Sequence, residues 1–105
     1  MEIEDFNSNS ENVSMNGNSV IIEVITESFM TDVIEQSKET PVIVDFWAPW
    51  CEPCKQLTPI IEKIIKEKNG KVILAKMNID ESPEVAQQLK IQSIPAVMAF
   101  SDGHH

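Results

Sequence analysis

Arginine is absent from this chain, and its 8 lysines stand against 17 acidic residues, for a net charge of −9. Binding to a phosphate backbone or an anionic lipid surface needs a basic face, so neither nucleic acid nor membrane is an expected partner. Long hydrophobic runs are also missing. Nowhere do about 20 apolar residues follow one another as a membrane span requires, and no apolar segment follows a basic start as in a secretory leader. The expectation is a soluble, cytoplasmic protein whose partners are proteins or small thiols. Cysteine is scarce as well, with 2 in 105 residues. That is too few for the disulfide framework of a small secreted domain, and in a reducing cytosol a close pair points to catalysis or metal binding. What the chain does have is a 42% hydrophobic content, enough for the core of one small domain.

Composition divides the chain near position 20. Residues 1–19 hold five Asn, four Ser and four acidic residues without a lysine, and their few apolar side chains keep no sustained period, as expected of a disordered polar tail. From Val20 the β-branched run VIIEV predicts a strand. TESFMTDVIEQSKE then sets Phe29, Met30, Val33 and Ile34 at helical spacing behind a Thr26 or Ser28 cap. PVIVDFW, Pro41 to Trp47, is nearly continuously apolar, as in a strand covered on both faces of a parallel or mixed sheet. After it, Leu57, Ile60, Ile61, Ile64 and Ile65 fall on the stripe of an amphipathic helix. Pro59 should kink that helix, and Asn69-Gly70 should end it. VILAKMNI predicts a third strand, SPEVAQQL a short helix capped by Ser82, and AVMAFS a fourth strand. The alternation βαβαβαβ implies an α/β layered domain over residues 20–105, with its site at the carboxyl ends of the strands.

Both cysteines lie at such an end, in WAPWCEPCK, Trp47 to Lys55. A thiol at the first turn of a helix meets unpaired N–H groups and the positive end of the dipole, which favour the thiolate. Cys51 is therefore expected to be the exposed nucleophile that forms a mixed disulfide. Cys54, three residues on and on the same helix face, would resolve it in an intramolecular step. The competing readings are two inert core thiols, or half of a zinc site. Zinc takes four ligands, and the only other candidates are His104 and His105 at the end of the chain, so no metal is expected.

Asp45 is the second informative residue. Inside PVIVDFW a carboxylate would be buried at a cost of several kcal/mol if ionised, its pKa should rise, and close to the cysteines it could act as a general base for Cys54. The alternative places it at a frayed strand end, solvated and without a role.

Over residues 20–103 the chain resembles a thioredoxin. FWAPWCEPCK is similar to the family's active-site segment, Asp45 to its buried aspartate, Lys76 to its nearby strand lysine, and SIPA to its cis-proline loop. KQLTPIIEKI and AKMNIDESPEVAQQLKIQSIPAVMAF look most like the thioredoxin domain that heads bacterial co-chaperones of the YbbN (CnoX) type. The resemblance implies a thioredoxin-like fold of three layers around a mixed sheet, and protein-disulfide reduction through a Cys51/Cys54 dithiol. No cofactor beyond that disulfide is implied, and the expected electron donor is a reductase of the thioredoxin-reductase type. It implies proton transfer by Asp45 with Lys76 beside it, and a cis peptide at Ile94-Pro95 facing the sulfurs. Trp50, Glu52, Pro53, Ile94 and Pro95 would contact substrate, while Trp47 and Pro59 would be structural. A proline without N–H leaves neighbouring backbone groups free to pair with an extended substrate.

Two departures stand out. Glu52 occupies a position that is usually Gly in the family, and its charge should oppose a thiolate at Cys51. The family's last strand and helix have no counterpart after Asp102-Gly103, so the fourth strand should be an exposed edge beside an apolar patch. A second function class also fits the sequence: a client-binding co-chaperone module that uses the same apolar groove, with incidental redox activity.

Overall fold

The computed structural model describes residues 19–105. The tail expected over residues 1–19 lies outside them, apart from Ser19.

The elements follow the predicted alternation: β1 (Ile21–Glu23), α1 (Thr26–Phe29), β2 (Val42–Trp47), α2 (Glu52–Glu67), β3 (Ile73–Asn78), α3 (Pro83–Gln88) and β4 (Ala96–Phe100). The helix begun by α1 widens into a π-helical stretch over Met30–Glu35 and closes as a 3-10 turn over Gln36–Lys38. The sheet order is β1-β3-β2-β4. Strands β1 and β2 both run parallel to β3, and β4 lies antiparallel to β2. The sheet is therefore mixed, and the chain has a thioredoxin-like fold.

Strand residues alternate between faces, which separates two environments. Val42, Val44 and Phe46 of β2 join Ala75 and Met77 of β3, Phe29 and Val33 of the first helix, Val85 of α3 and Phe100 of β4 in one core. The rings of Phe29 and Phe100 meet edge to face with centroids 5.7 Å apart. Each of its buried Val, Phe and Met side chains contributes roughly 1.5–3 kcal/mol by leaving water, so this face dominates stability. The opposite face of β2 carries Ile43, Asp45 and Trp47 and packs beneath α2. In register with Asp45 are Lys76 on β3 and Val97 on β4.

The structure revises three local expectations. The first helix is entered at Ile25, not at Thr26 or Ser28: Ser28 sits one turn in, and its hydroxyl accepts from the Ile25 N–H at 3.0 Å. Ser82 precedes α3 without capping it. Its hydroxyl instead accepts from the Thr26 N–H at 3.1 Å, tying the start of α1 to the start of α3. Third, α2 buries Cys54 and Ile65 and half-buries Leu57 and Ile61, but leaves Ile60 and Ile64 exposed. The apolar stripe is wider than the surface available to it, because β4 is the sheet's edge and Val97 beside Asp45 is itself exposed. Pro59 lies inside α2, which continues to Glu67, with Asn69 and Gly70 beyond it in left-handed conformations.

Candidate functional site

Strand β2 delivers the chain at Trp47 into a tight turn in which the Cys51 N–H donates to the Ala48 carbonyl at 3.0 Å. Cys51 has extended backbone and caps α2, and its sulfur accepts from the Cys54 N–H at 3.2 Å. Pro53 fits the first turn because no intrahelical donor is needed there. One turn of helix thus brings the sulfurs together, and Cys51 and Cys54 are disulfide-bonded with Cα atoms 5.3 Å apart.

The pair is not exposed as expected for Cys51. Accessibility is 3% at Cys51 and 1% at Cys54. The cause is packing: Ala48, Trp47, Ile79 and Ile94 close around the disulfide. Ile94 reaches it from the loop before β4, where the Ile94-Pro95 peptide is cis. Trp50 stands beside this centre at 64% accessibility, and its indole N–H donates to Asp80 at 3.1 Å. The Asp80 N–H in turn donates to the Asn78 side chain at 2.9 Å. Asp80 was not foreseen, since an acidic residue in a polar loop carries no local signal that it anchors an indole 30 positions away.

Glu52 and Pro53 are exposed at the start of α2, and Glu52 pairs with Lys55 at 3.1 Å. Both side chains of that pair are largely solvated, so it is weak and screened. The charge of Glu52 is thereby partly balanced within the motif that it was expected to perturb.

Asp45 is fully buried, not solvated at a strand end. Its Oδ2 accepts from the Thr58 hydroxyl at 2.9 Å, whereas Oδ1 has no hydrogen-bond partner among the described residues. Burial pushes its pKa up, and the Thr58 hydrogen bond and the charge of Lys76 only partly oppose this, with Glu62 adding a further upward push. Lys76 shares the face but not a bond with Asp45: its ammonium pairs with Glu62 at 3.1 Å. Thr58 and Glu62 are the members that sequence reasoning missed. They recur at i+4 and i+8 from Cys54, a spacing that could have marked them as one helix face. Trp47, Cys54, Lys55, Thr58, Pro59, Glu62 and Lys76 line a cavity of about 300 Å³, so Cys54 shares it with Thr58, the hydrogen-bond partner of Asp45, and with the Lys76–Glu62 pair.

Among the described residues, no cluster of three or more His, Cys, Asp and Glu could hold a metal ion, and no helix is long and apolar enough to cross a membrane.

Comparison with known proteins identifies the family. The thioredoxin family matches residues 20–105. A thioredoxin of Rickettsia felis is 52% identical over 80 residues, covering 76% of this chain and 74% of that protein. The chloroplastic M-type thioredoxin of Pisum sativum is 46% identical over 82 residues, covering 78% of this chain and 47% of that protein. A bifunctional thioredoxin reductase/thioredoxin of Mycobacterium leprae is 43% identical over 84 residues, which are 80% of this chain and 18% of that protein.

Proposed function

This chain belongs to the thioredoxin family and is a thiol–disulfide oxidoreductase, and from that premise we propose how its own residues divide the work. Cys51 is the nucleophile. Its place at the start of α2 favours the thiolate once the disulfide is reduced, because the helix dipole and free N–H groups face it. The thiolate attacks one sulfur of a substrate disulfide, forming a Cys51–substrate S–S bond while the other substrate sulfur leaves as a thiolate and takes a proton.

Cys54 then resolves the intermediate. Its S–H proton passes to Asp45, whose partner Thr58 lines the same cavity as Cys54, and the electron pair left on sulfur attacks Cys51. The Cys51–Cys54 bond re-forms and the second substrate sulfur is released. Two electrons have moved from the dithiol to the substrate. Asp45 suits the acceptor role because burial makes its carboxylate more basic than an exposed one. Lys76, held by Glu62, supplies positive charge nearby that keeps the carboxylate ionised for part of the cycle. Trp50, Ile94 and Pro95 form the rim against which an extended substrate lies, with Glu52 and Pro53 at its edge.

The substrates are proteins with accessible disulfides. The electron donor is a reductase of the thioredoxin-reductase type, a pairing supported by the relative in which both activities share one chain. No cofactor is needed beyond the disulfide, and the working compartment is the cytoplasm. The observation that carries this reading is the Cys51–Cys54 pair at a helix start, walled by Trp47 and Ile94. Insulin disulfide reduction tests it: Cys51→Ser should be inactive, and Cys54→Ser should accumulate a mixed disulfide through Cys51. A mixed disulfide trapped on Cys54 in Cys51→Ser, with turnover retained, would reverse the assignment.

A further inference from the structure

We propose that Thr58 is a positioning residue for the proton-transfer step: its hydroxyl holds Oδ2 of Asp45, so that Oδ1 is the atom that receives the proton of Cys54. The inference rests on the reading of Asp45 as proton acceptor given above.

Three observations carry it. Thr58 is the only side chain of the described residues that hydrogen-bonds Asp45, at 2.9 Å from Oδ2, and Oδ1 is buried without a partner. A hydroxyl donating to one carboxylate oxygen withdraws charge from it and leaves the other as the more basic atom. Second, Thr58 lies one helical turn beyond Cys54, and both line the same cavity. A side chain on the helix that carries the resolving sulfur therefore sets the orientation of the carboxylate on β2. Third, Lys76, the lysine expected beside Asp45, does not hold the carboxylate, since its ammonium pairs with Glu62 at 3.1 Å.

The charged groups acting on Asp45 are Lys76 from β3 and Glu62 from α2, while Cys54 and Lys55 of α2 line the neighbouring cavity with Thr58. The residue in register on β4 is Val97, which is apolar. Thr58, uncharged, acts on Asp45 by direct hydrogen bonding. Its hydrogen bond lowers the pKa that burial raises, which extends to lower pH the range in which Asp45 can accept a proton.

The balance of the step follows. The Cys54 S–H bond breaks, an O–H bond forms at Asp45 Oδ1, and the sulfur keeps the electron pair with which it attacks Cys51. Without the hydroxyl, the carboxylate loses a charge-assisted hydrogen bond and stays protonated to higher pH.

The test compares the pH profile of disulfide reduction in wild type, Thr58→Val, Thr58→Ser and Asp45→Asn, with the Asp45 carboxyl followed by carbon NMR in the oxidised proteins. Thr58→Val keeps the size of the side chain and removes the hydroxyl. Its acidic limb and the Asp45 titration should both move up by about one pH unit, the scale of a lost hydrogen bond to a charged group. Thr58→Ser should return both to the wild-type position. If Thr58→Val does not fold, Thr58→Ala against Thr58→Ser gives the same comparison. A purely structural role would lower the melting temperature and leave the limb where it is. An unmoved limb in Thr58→Val, with the limb abolished in Asp45→Asn, overturns the role of Thr58 and leaves Asp45 as acceptor. A wild-type limb that persists in Asp45→Asn overturns the acceptor reading itself, and this inference with it.

Discussion

Replacing Asp45 by Asn removes a charge from a fully buried position beneath α2, and the structure sets both the sign and the size of the response. Asp45 is 0% exposed. Its ionised form has one hydrogen bond, from Thr58 at 2.9 Å, while the nearest ammonium pairs with Glu62. A buried ion costs several kcal/mol after relaxation, against about 1.5–3 kcal/mol returned by a hydrogen bond to a charged group. An asparagine carbonyl can keep the Thr58 bond, but its amide brings buried donors that cost about 1–3 kcal/mol if unpaired. The net expectation is a variant more stable by about 1–3 kcal/mol once Asp45 is ionised in the folded wild type. With a urea m-value of about 1–3 kcal/mol/M for a domain of this size, the unfolding midpoint should rise by roughly 1 M.

The pH dependence separates this cause from others. The folded-state pKa of Asp45 is raised above 3.8, so between 3.8 and the raised value the folded protein keeps a proton that the unfolded chain has lost. Wild-type stability therefore falls as pH rises through that window, and the advantage of Asp45→Asn grows from near zero below it to its full value above it. Urea titrations at pH 3.5 and pH 8 read this directly. An equal gap at both pH values, or a wild type more stable than the variant at pH 8, would refute the buried-charge argument. The same variant should release the mixed disulfide more slowly, so activity falls while stability rises.

Three further outcomes are expected. Glu52→Gln removes a negative charge next to Cys51 and frees Lys55 from its 3.1 Å pair, so alkylation of reduced Cys51 at pH 7 should be faster. Because both groups are solvated, the gain should be less than tenfold and should shrink in 0.5 M salt, and a slower reaction would contradict it. Ser82→Ala leaves the Thr26 N–H without its partner at a part-buried contact between α1 and α3, which should cost about 1 kcal/mol in chemical denaturation with redox activity intact. Trp50→Ala should raise the KM for protein disulfides far more than for a small disulfide reagent, since Trp50 is an exposed rim held by Asp80. An equal effect on both would place Trp50 in the chemistry instead of in docking.

The order of strands and helices, the cysteine pair at a strand-to-helix junction and the presence of an aspartate inside an apolar strand were legible in the sequence. Each is a local property: periods of 2 and 3.6, a breaker between them, one ionisable residue among branched ones. The family resemblance added the cis peptide at Ile94-Pro95, which the structure contains. Tertiary structure decided what local pattern could not. It chose Leu57, Ile61 and Ile65 over Ile60 and Ile64 for burial, because the buried face of a helix depends on how far the sheet extends beneath it. Closing Trp47, Ile79 and Ile94 around Cys51 buried a sulfur that its place at a helix start suggested would be open. The docking of α2 across β2 and β3 also gave Asp45 to Thr58 and Lys76 to Glu62, pairs 13 and 14 positions apart. Such pairings rest on the relative placement of rigid elements, and a carboxylate in a strand and a hydroxyl in a helix carry no mark of each other until the two are packed.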